Sequence, residues 1–389
     1  MNMKKISIIL YLSSLFSLLI YSYSQVDLNL TLSSNQLYQT FQHQLTYLGY
    51  FNRPLSTAIF IAILSSLVIG YWLLVRLASV GKLTTLEIIR LAVITTAVLI
   101  FSYPAFSYDI FNYIFDTRIL IHHHLNPYQF TALDFPGDLW TRFMHWTHRT
   151  YPYGPTWLPL TAIFYLIGFG KFVPTLISFK LLGAISYLVS IFSLNKITSH
   201  LKPKTLNLSL ALFAFNPLII IEGLVSAHLD IAMAAIMLLS LGLLVSGKKI
   251  TSWVLLFISV GIKYASLAAL PLVFSLTNKS KQHSFQLFTL SSILISYLLT
   301  LAIISQREIL PWYFIVPFAL TVLVPKTKLT LAIMFALTFG ALLRYAPYLY
   351  IGDYTPWVLN IRNWLTLVGA VLGGILSASV NQNPPVKST

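Results

Sequence analysis

The stretch LSTAIFIAILSSLVIGYWLLVR, residues 55–76, contains no charged residue before its final arginine. An α-helix rises about 1.5 Å per residue, so a run of this length crosses the roughly 30 Å hydrocarbon core of a bilayer. Comparable apolar runs recur near residues 6–23, 88–106, 172–194, 206–221, 230–246, 285–304, 329–345 and 364–380, with shorter or interrupted runs at 157–170, 251–276 and 311–325. This recurrence predicts a chain that passes through a membrane many times.

The composition excludes a water-soluble globule. Of the 389 residues, 57% are hydrophobic and only 9% are charged, which would leave a large apolar surface in contact with water. We therefore predict an all-α, polytopic integral membrane protein with about 11–13 transmembrane or re-entrant helices. Residues 1–380 are expected to form one multispanning domain, and the tail 381–389 is expected to be disordered.

The distribution of charge predicts the topology. The net charge of +15 comes from lysines and arginines scattered between apolar runs, without the basic stripe that would indicate nucleic-acid binding. If the lysines lie in the cytoplasm, as the positive-inside rule favours, Glu87 is the only acidic residue that lies with them. The other acids then lie outside: Asp27, Asp109, Asp116, Asp134, Asp138, Glu222, Asp230, Glu308 and Asp353. We therefore expect the active site on the extracytoplasmic side of the cell membrane.

This topology requires a particular arrangement of three segments. The first apolar run, which follows Lys4 and Lys5, resembles a secretory signal but is expected to be an uncleaved anchor, because a multispanning chain needs no separate signal. Residues 157–194 must cross the membrane once in net terms, and residues 251–276 must enter and return. The expected breaks are Gly168-Phe169-Gly170-Lys171 and Gly261-Ile262-Lys263-Tyr264, where glycine interrupts the apolar pattern.

The longest excursion between apolar runs is residues 104–156, which we predict to be an extracytoplasmic loop. Its tryptophans lie among basic residues, a pattern typical of short amphipathic helices at the membrane interface. An ordinary aromatic belt is the alternative for each tryptophan taken alone. The residues concerned are Trp140, Arg142, His145, Trp146, His148, Arg149 and Trp157.

The start of this loop contains the strongest local pattern. Asp109, Asn112, Tyr113 and Asp116 follow i, i+3, i+4 and i+7 spacing and share one face if the segment is helical. Pro127 is expected to end that helix, because it disfavours the α conformation of the preceding residue. Asp109 alone could equally be a carboxylate stabilised by the helix dipole.

The chain has no cysteine, so disulfides, thiolate metal sites and cysteine catalysis are excluded. A divalent metal is conceivable from Asp109, the triplet His122–His124, His228 and Asp230. Three consecutive histidines cannot all point at one ion from a helix. We therefore predict no metal and no other cofactor.

Five motifs in order resemble one known family. They are SYDIFNYIFDTRILIHHHLNPY (107–128), YPYGPTW (151–157), NPLIIIEGLVSAHLD (216–230), GIKYASLAALP (261–271) and ILPWYFIVP (309–317). Together they are similar to the polyprenol-phosphate-mannose-dependent mannosyltransferases of the GT-C superfamily, over roughly residues 100–320. The resemblance implies a GT-C-like fold and an inverting transfer of a sugar, mannose in the family, from a polyprenyl-phosphate donor to a glycan or glycolipid acceptor.

The resemblance also implies roles for individual residues. Asp109 would be the catalytic base. Arg118, Lys263 and Arg307 would neutralise the donor phosphate, because a phosphate leaving group needs cations more than it needs an acid. The remaining substrate-binding candidates are Tyr113, Asn126, Tyr128, Tyr153, Glu222, His228, Asp230, Trp312 and Tyr313. Asp116 and the histidine triplet match the family only loosely.

Two other classes of function stay open at this point. A polyprenyl-linked glycan flippase or a solute transporter would also use an intramembrane lysine and outer acids. However, the chain shows no internal repeat, and its polar residues gather on one side. A non-catalytic membrane scaffold would leave the outer carboxylates unexplained. The partners expected for the enzyme are the polyprenyl-linked donor, the acceptor and membrane lipid, without nucleic acid.

Overall fold

A computed structural model describes residues 3–277, 282–325 and 327–381. Lys279, Lys281 and Lys326, which the predicted topology places in the cytoplasm, lie outside these ranges, as do residues 382–389 of the tail 381–389 that is predicted to be disordered. The α-helices of the described residues are α1 (Met3–Ser22), α2 (Gln36–Phe51), α3 (Arg53–Ser79), α4 (Thr85–Leu99), α5 (Asp109–Ile121), α6 (Trp157–Ile167), α7 (Phe172–Leu201), α8 (Leu206–Ala214), α9 (Pro217–Ile220), α10 (Leu229–Val245), α11 (Lys249–Ile262), α12 (Leu270–Thr277), α13 (Gln282–Ile304), α14 (Ile315–Thr321), α15 (Lys328–Leu343), α16 (Tyr345–Ile351) and α17 (Pro356–Ala378).

The all-α, polytopic fold class is confirmed. Within the described residues, six helical segments are long and apolar enough to cross a membrane: Met3–Gln25, Arg53–Ser79, Phe172–Leu201, Phe285–Ile304, Lys328–Ile351 and Pro356–Ala378. The pair Pro203–Ala214 and Pro217–Val225 forms a further span if it is counted as one, with a bend of 51°. Five shorter apolar helices complete the set: Trp157–Ile167, Leu229–Val245, Lys249–Ile262, Tyr264–Thr277 and Pro311–Thr321. The protein is therefore a multi-pass membrane protein.

Both predicted helix breaks are confirmed. Helix α6 ends at Ile167 and α7 begins at Phe172, with Phe169 and Gly170 in the left-handed region between them. Helix α11 ends at Ile262, where Lys263 adopts an extended backbone before a 3₁₀ segment, Tyr264–Ala269. Neither α6 nor α11 is long enough to cross the hydrocarbon core alone.

The centre of the molecule is the chain from α8 to α10. Residues 208–235 are all buried, although they include the bend at Asn216 and several polar side chains. A π-helical turn, Ile221–Val225, follows α9 and precedes α10. Asn216 caps α9 by accepting hydrogen bonds from the backbone N–H groups of Leu218 and Ile219. The bend thus keeps its backbone groups paired inside the protein, as the absence of water requires.

The first helix belongs to the same packed body. Tyr11 on α1 is fully buried, and its hydroxyl lies 2.8 Å from the Thr95 hydroxyl on α4. At the amino-terminal ends of α1 and α4, Lys4 and Glu87 form an ion pair of 2.5 Å. Glu87 lies in the first turn of α4, whereas Asp109 begins α5, ten residues after α4 ends at Leu99.

Helices α15 and α17 pack through small residues. Gly369 and Gly373 are four residues apart, and both face α15. A β-carbon on Gly373 would collide with the carbonyl oxygen of Phe335, whereas one on Gly374 would meet no atom within 4 Å. Close backbone approach at such a pair is a common way for membrane helices to associate.

We expect Gly373→Ala to destabilise the protein by about 1–3 kcal/mol, because the added methyl group overpacks the contact between α15 and α17. Thermal unfolding of the purified protein in detergent measures the effect as a lower melting temperature. Gly374→Ala is the matched control, since its methyl group enters open space in the same helical turn. Equal melting temperatures for the two variants would contradict this packing.

Candidate active site

The central feature of the site is the interruption between the π-helical turn Ile221–Val225 and α10. Ala227 has a φ of 51°, in the left-handed region that non-glycine residues rarely adopt, and His228 is extended. The interruption brings three polar residues together: Glu222 in the π-turn, His228 at the N-cap of α10 and Asp230 in its first turn. All three are buried.

Lys180 on α7 holds this interruption in place. Its ammonium group donates hydrogen bonds to the carbonyl oxygens of Leu224 and Val225, the latter at 2.7 Å, and to the Ser102 hydroxyl at 3.0 Å. These carbonyls lie at the carboxyl end of the interrupted helix, where the backbone dipole favours a cation. Lys180 is only 2% exposed. It therefore satisfies backbone groups that no water can reach.

His228 is the hub of the cluster. Its Nδ1 atom lies 3.6 Å from the Asp109 carboxylate and 3.4 Å from the Tyr113 hydroxyl, while its Nε2 atom lies 3.3 Å from Glu222. Its ring stacks on Trp312, with the ring centroids 3.9 Å apart. The imidazole thus links the loop helix α5 with the π-turn.

Glu222 has a second partner on a distant helix. The Tyr345 hydroxyl, at the start of α16, donates a hydrogen bond of 2.8 Å to Glu222 Oε1. The other carboxylate oxygen, Oε2, is buried without a hydrogen bond in the described part of the chain. Tyr345 therefore orients this carboxylate towards His228.

A cation lies on the other side of the hub. Lys263, at the break after α11, donates a hydrogen bond of 2.9 Å to Asp230, and its ammonium group lies 4.8 Å from the centre of the Tyr313 ring. Arg307 also interacts with the Tyr313 hydroxyl, through its positive charge and a side-chain hydrogen bond. The Lys263 side chain is 26% exposed, compared with 5% for Asp230. Lys263 is thus an accessible cation whose position is fixed by a buried carboxylate.

Asp109 lies at the edge of the cluster, with its side chain 15% exposed. Burial raises the pKa of this carboxyl group to about 6, although the positive charges of Arg149 and Lys263 oppose the shift. Residues 109–116 are helical, which is the condition under which Asp109, Asn112, Tyr113 and Asp116 share one face. Asn112, Tyr113 and Asp116 are all buried.

The end of this helix differs from the prediction. The expectation that Pro127 terminates it is wrong, because α5 ends at Ile121 and His124 has a φ of 56°. Asn126 and Tyr128 lie in the turn beyond, where the Asn126 side chain accepts a hydrogen bond from the Tyr128 backbone N–H. Tyr128 in turn donates to the Tyr153 carbonyl oxygen. These two residues support the loop around Tyr153, whose ring meets Tyr113 edge to face at 5.3 Å.

Arg118 lies apart from the cluster. It follows Asp109 by nine residues, which is two and a half turns, and therefore projects from the opposite side of α5. Its guanidinium pairs with Asp138 at 2.5 Å and lies over the Trp140 ring at 4.1 Å. Burial alone would raise the pKa of Asp138, but hydrogen bonds from Arg118, from the backbone of Trp140 and from His123 lower it below its usual value. The structure does not bring Arg118 to the other phosphate-binding candidates.

The remainder of the loop 104–156 is mostly irregular. After α5, its described helical elements are two 3₁₀ turns, Ala132–Asp134 and Leu139–Phe143, of which the second carries Trp140 and Arg142. Across residues 3–277, 282–325 and 327–381, no group of three or more histidine, aspartate or glutamate side chains is arranged to hold a metal ion.

A comparison with protein-family models matches residues 15–279 to the model described as Alpha-(1->6)-mannopyranosyltransferase, N-terminal domain. The match covers about two thirds of the chain. The chain belongs to this mannosyltransferase family. It is thus a glycosyltransferase of the GT-C type, and mannosyl transfer is its function. A search of curated proteins and a search of solved structures found no match.

The geometry of this mannosyltransferase adds residues that sequence reasoning missed. The sequence pattern does not single out Lys180, because it is one lysine inside an apolar helix. A charged residue within an apolar segment is nevertheless itself a sign of function. The sequence pattern does not single out Tyr345 either, and it places Arg149 in an interfacial helix. Arg149 instead lies 4.0 Å from Asp116 and donates a hydrogen bond to the Tyr153 hydroxyl.

We expect Lys180→Met to destabilise the protein by about 1–3 kcal/mol or more, because it leaves the carbonyls of Leu224 and Val225 buried without a donor. The thermal unfolding midpoint in detergent measures this loss. Lys171→Met, an exposed lysine that immediately precedes the same helix, is the control. A Lys180→Met midpoint as high as that of the control would contradict the capping role.

Proposed function

We propose that this mannosyltransferase transfers mannose from a polyprenyl-phosphate donor to a hydroxyl group of a glycan or glycolipid acceptor, at the extracytoplasmic face of the membrane. The observation that carries the proposal is Asp109. It is a partly exposed carboxylate at the edge of a buried cluster, with the cation Lys263 close enough to affect its pKa. A base and cations for a leaving phosphate are the two requirements of this chemistry.

Asp109 serves as the base. In an inverting transfer, one carboxylate accepts the proton of the attacking hydroxyl as the bond to the anomeric carbon forms. An inverting enzyme gives an α-glycoside, as in the family's description, only from a donor of β configuration. The phosphate departs without needing protonation by a second carboxyl group. This explains why the other acids of the cluster, Glu222 and Asp230, can be committed to Tyr345 and Lys263.

Lys263 and Arg307 receive the donor phosphate. Lys263 keeps an accessible ammonium group beside Tyr313, and Arg307 acts on the same tyrosine. Two cations at this point neutralise the charge that develops on the phosphate in a site of low polarity. Trp312 and Tyr313 provide aromatic surfaces for the apolar face of a sugar or the first prenyl units. Arg118 remains a predicted phosphate ligand, but its ion pair with Asp138 favours a structural role.

Two features support an active site at the outer face of the membrane. Most lysines and nearly all acidic residues separate on opposite sides under the positive-inside rule. Consistent with this separation, Glu87 lies in the first turn of α4 and pairs with Lys4, whereas Asp109 follows the carboxyl end of α4 along the chain. A polyprenyl chain remains in the bilayer, so its phosphate is presented at the interface, where the cluster is expected to open.

We expect Asp109→Asn to reduce mannosyl transfer by at least about 100-fold, because general-base catalysis contributes about 10²–10⁴-fold. The assay uses purified protein in liposomes, polyprenyl-phosphate mannose and a panel of mannoside acceptors. Asp134→Asn is the matched control, since Asp134 is exposed in the same loop and caps a 3₁₀ turn. Equal rates for wild type and Asp109→Asn would exclude Asp109 as the base. A protein that moves the donor across the bilayer without transfer would favour the transporter alternative.

We also expect kcat/KM to fall as the pH decreases through about 6. The folded pKa of Asp109 is about 6, and only the ionised carboxylate accepts a proton, so activity is full above this pH and declines below it. The decline should approach ten-fold per pH unit. The measurement is the initial transfer rate at low substrate between pH 4.5 and 8. A rate that stays constant down to pH 4.5 would contradict the raised pKa.

A further inference from the structure

Asp116 is a buried carboxylate, and one of its two oxygens has no hydrogen-bond partner in the described part of the chain. It is 4% exposed, and its Oδ2 atom has no hydrogen-bond donor within the described residues. Its nearest cation, Arg149, lies 4.0 Å away, which is beyond hydrogen-bond distance. Burying a carboxylate in this way costs several kcal/mol unless a partner supplies hydrogen bonds. The role proposed above for Asp109 does not use Asp116.

Two neighbouring side chains also have a buried polar atom without a hydrogen-bond partner. Asn112 donates its amide to the carbonyl oxygen of Trp146 at 3.0 Å, but its Oδ1 atom is buried without a donor. Arg149 donates through Nη2 to Tyr153, whereas its Nη1 atom is buried without an acceptor. Two free acceptors and one free donor therefore lie together. A carbohydrate hydroxyl can satisfy both kinds, because it donates one hydrogen bond and accepts others.

The three groups are next to the base. Asn112 and Asp116 lie on the same face of α5 as Asp109, three and seven residues further on, so Asp116 is about 10.5 Å away along the helix. Arg149 acts electrostatically on both Asp109 and Asp116. The indole of Trp146 lies beside Asp109, and Trp146 is 48% exposed. This arrangement extends the site from Asp109 along α5, towards Asp116.

The charge pattern separates this region from the phosphate side. Lys263 and Arg307, which suit the donor phosphate, flank Tyr313 next to Asp230. The Asp116 side offers carboxylate and amide oxygens, which repel a phosphate but accept hydrogen bonds from hydroxyls. Exposed Trp146 provides an aromatic surface against which a sugar ring can stack. These features fit the neutral acceptor glycan rather than the donor phosphate.

We propose that Asn112, Asp116 and Arg149 form an acceptor subsite that binds hydroxyl groups of the acceptor glycan and directs its reacting hydroxyl to Asp109. This inference rests on the proposed function. Asp116 and Asn112 accept hydrogen bonds from the glycan, and the guanidinium of Arg149 donates to an adjacent oxygen. The subsite determines which acceptor is used, and the phosphate side determines which donor is used.

The test measures KM for each substrate separately in reconstituted protein, with polyprenyl-phosphate mannose and a soluble α-linked oligomannoside. Asp116→Asn keeps the shape of the side chain but removes its charge. It should raise the acceptor KM at least ten-fold and change the donor KM less than two-fold. Asp134→Asn, an exposed acid of the same loop, is the control and should change neither value.

A set of acceptors that each lack one hydroxyl makes the test specific. For the hydroxyl that Asp116 binds, the deoxy acceptor should lose at least ten-fold in kcat/KM with the wild type, but little with Asp116→Asn, because the lost partner is the same. If Asp116→Asn does not fold, Arg149→Lys can be compared with the wild type on the same set of deoxy acceptors. This substitution retains the positive charge but loses the planar pair of hydrogen-bond donors.

The outcomes separate the two hypotheses. Absence of transfer by the wild type with every acceptor would overturn the proposed function, and the subsite with it. Transfer by the wild type with an unchanged acceptor KM in Asp116→Asn would overturn the subsite alone. An equal rise in both KM values would assign Asp116 to the folding of the site as a whole. If the losses in kcat/KM from Asp116→Asn and from removal of the acceptor hydroxyl simply add, direct contact between Asp116 and that hydroxyl would also be excluded.

Discussion

The site depends on one buried cation at a helix end. Lys180 places its ammonium group against the carbonyls of Leu224 and Val225, in a region where water cannot satisfy a broken helix. Lys180, which belongs to another helix, thus stabilises the interruption that contains the left-handed Ala227 and the extended His228.

The interruption also explains how so many acids share a small volume. Asp109, Glu222 and Asp230 surround one histidine, and like charges in a medium of low polarity repel strongly. Each acid has its own compensation: Tyr345 for Glu222, Lys263 for Asp230, and partial exposure with nearby Arg149 and Lys263 for Asp109. Asp109 has the most exposed side chain of the three, at 15%, compared with 0% for Glu222 and 5% for Asp230. This difference in environment is the reason that Asp109, rather than Glu222 or Asp230, is proposed as the base.

Helix α5 divides the loop of residues 104–156 into two polar regions. One face carries Asp109, Asn112 and Asp116 towards the His228 cluster, and the other carries Arg118 into its pair with Asp138. In the second region Arg118 pairs with Asp138 and lies over Trp140, and these three residues line an open pocket. The first region retains buried donors and acceptors that have no hydrogen-bond partner among the described residues. The two neighbouring sets of charged residues thus differ in whether the described chain satisfies their hydrogen bonds.

The sequence by itself determined the membrane class, both helix breaks and the shared face of residues 109–116, because apolar runs, glycine positions and helical periodicity are local properties. It also placed His228, Asp230 and Lys263 in one candidate site through their resemblance to a family. Tertiary structure alone decided that Lys180 caps the π-turn, that Arg149 joins Asp116, and that Arg118 pairs with Asp138. These contacts join residues between 20 and 45 positions apart, and spacing along the chain contains no information about which distant partner a side chain meets. The early end of α5 at Ile121 has the same origin, since His123 leaves the helix to pair with Asp138.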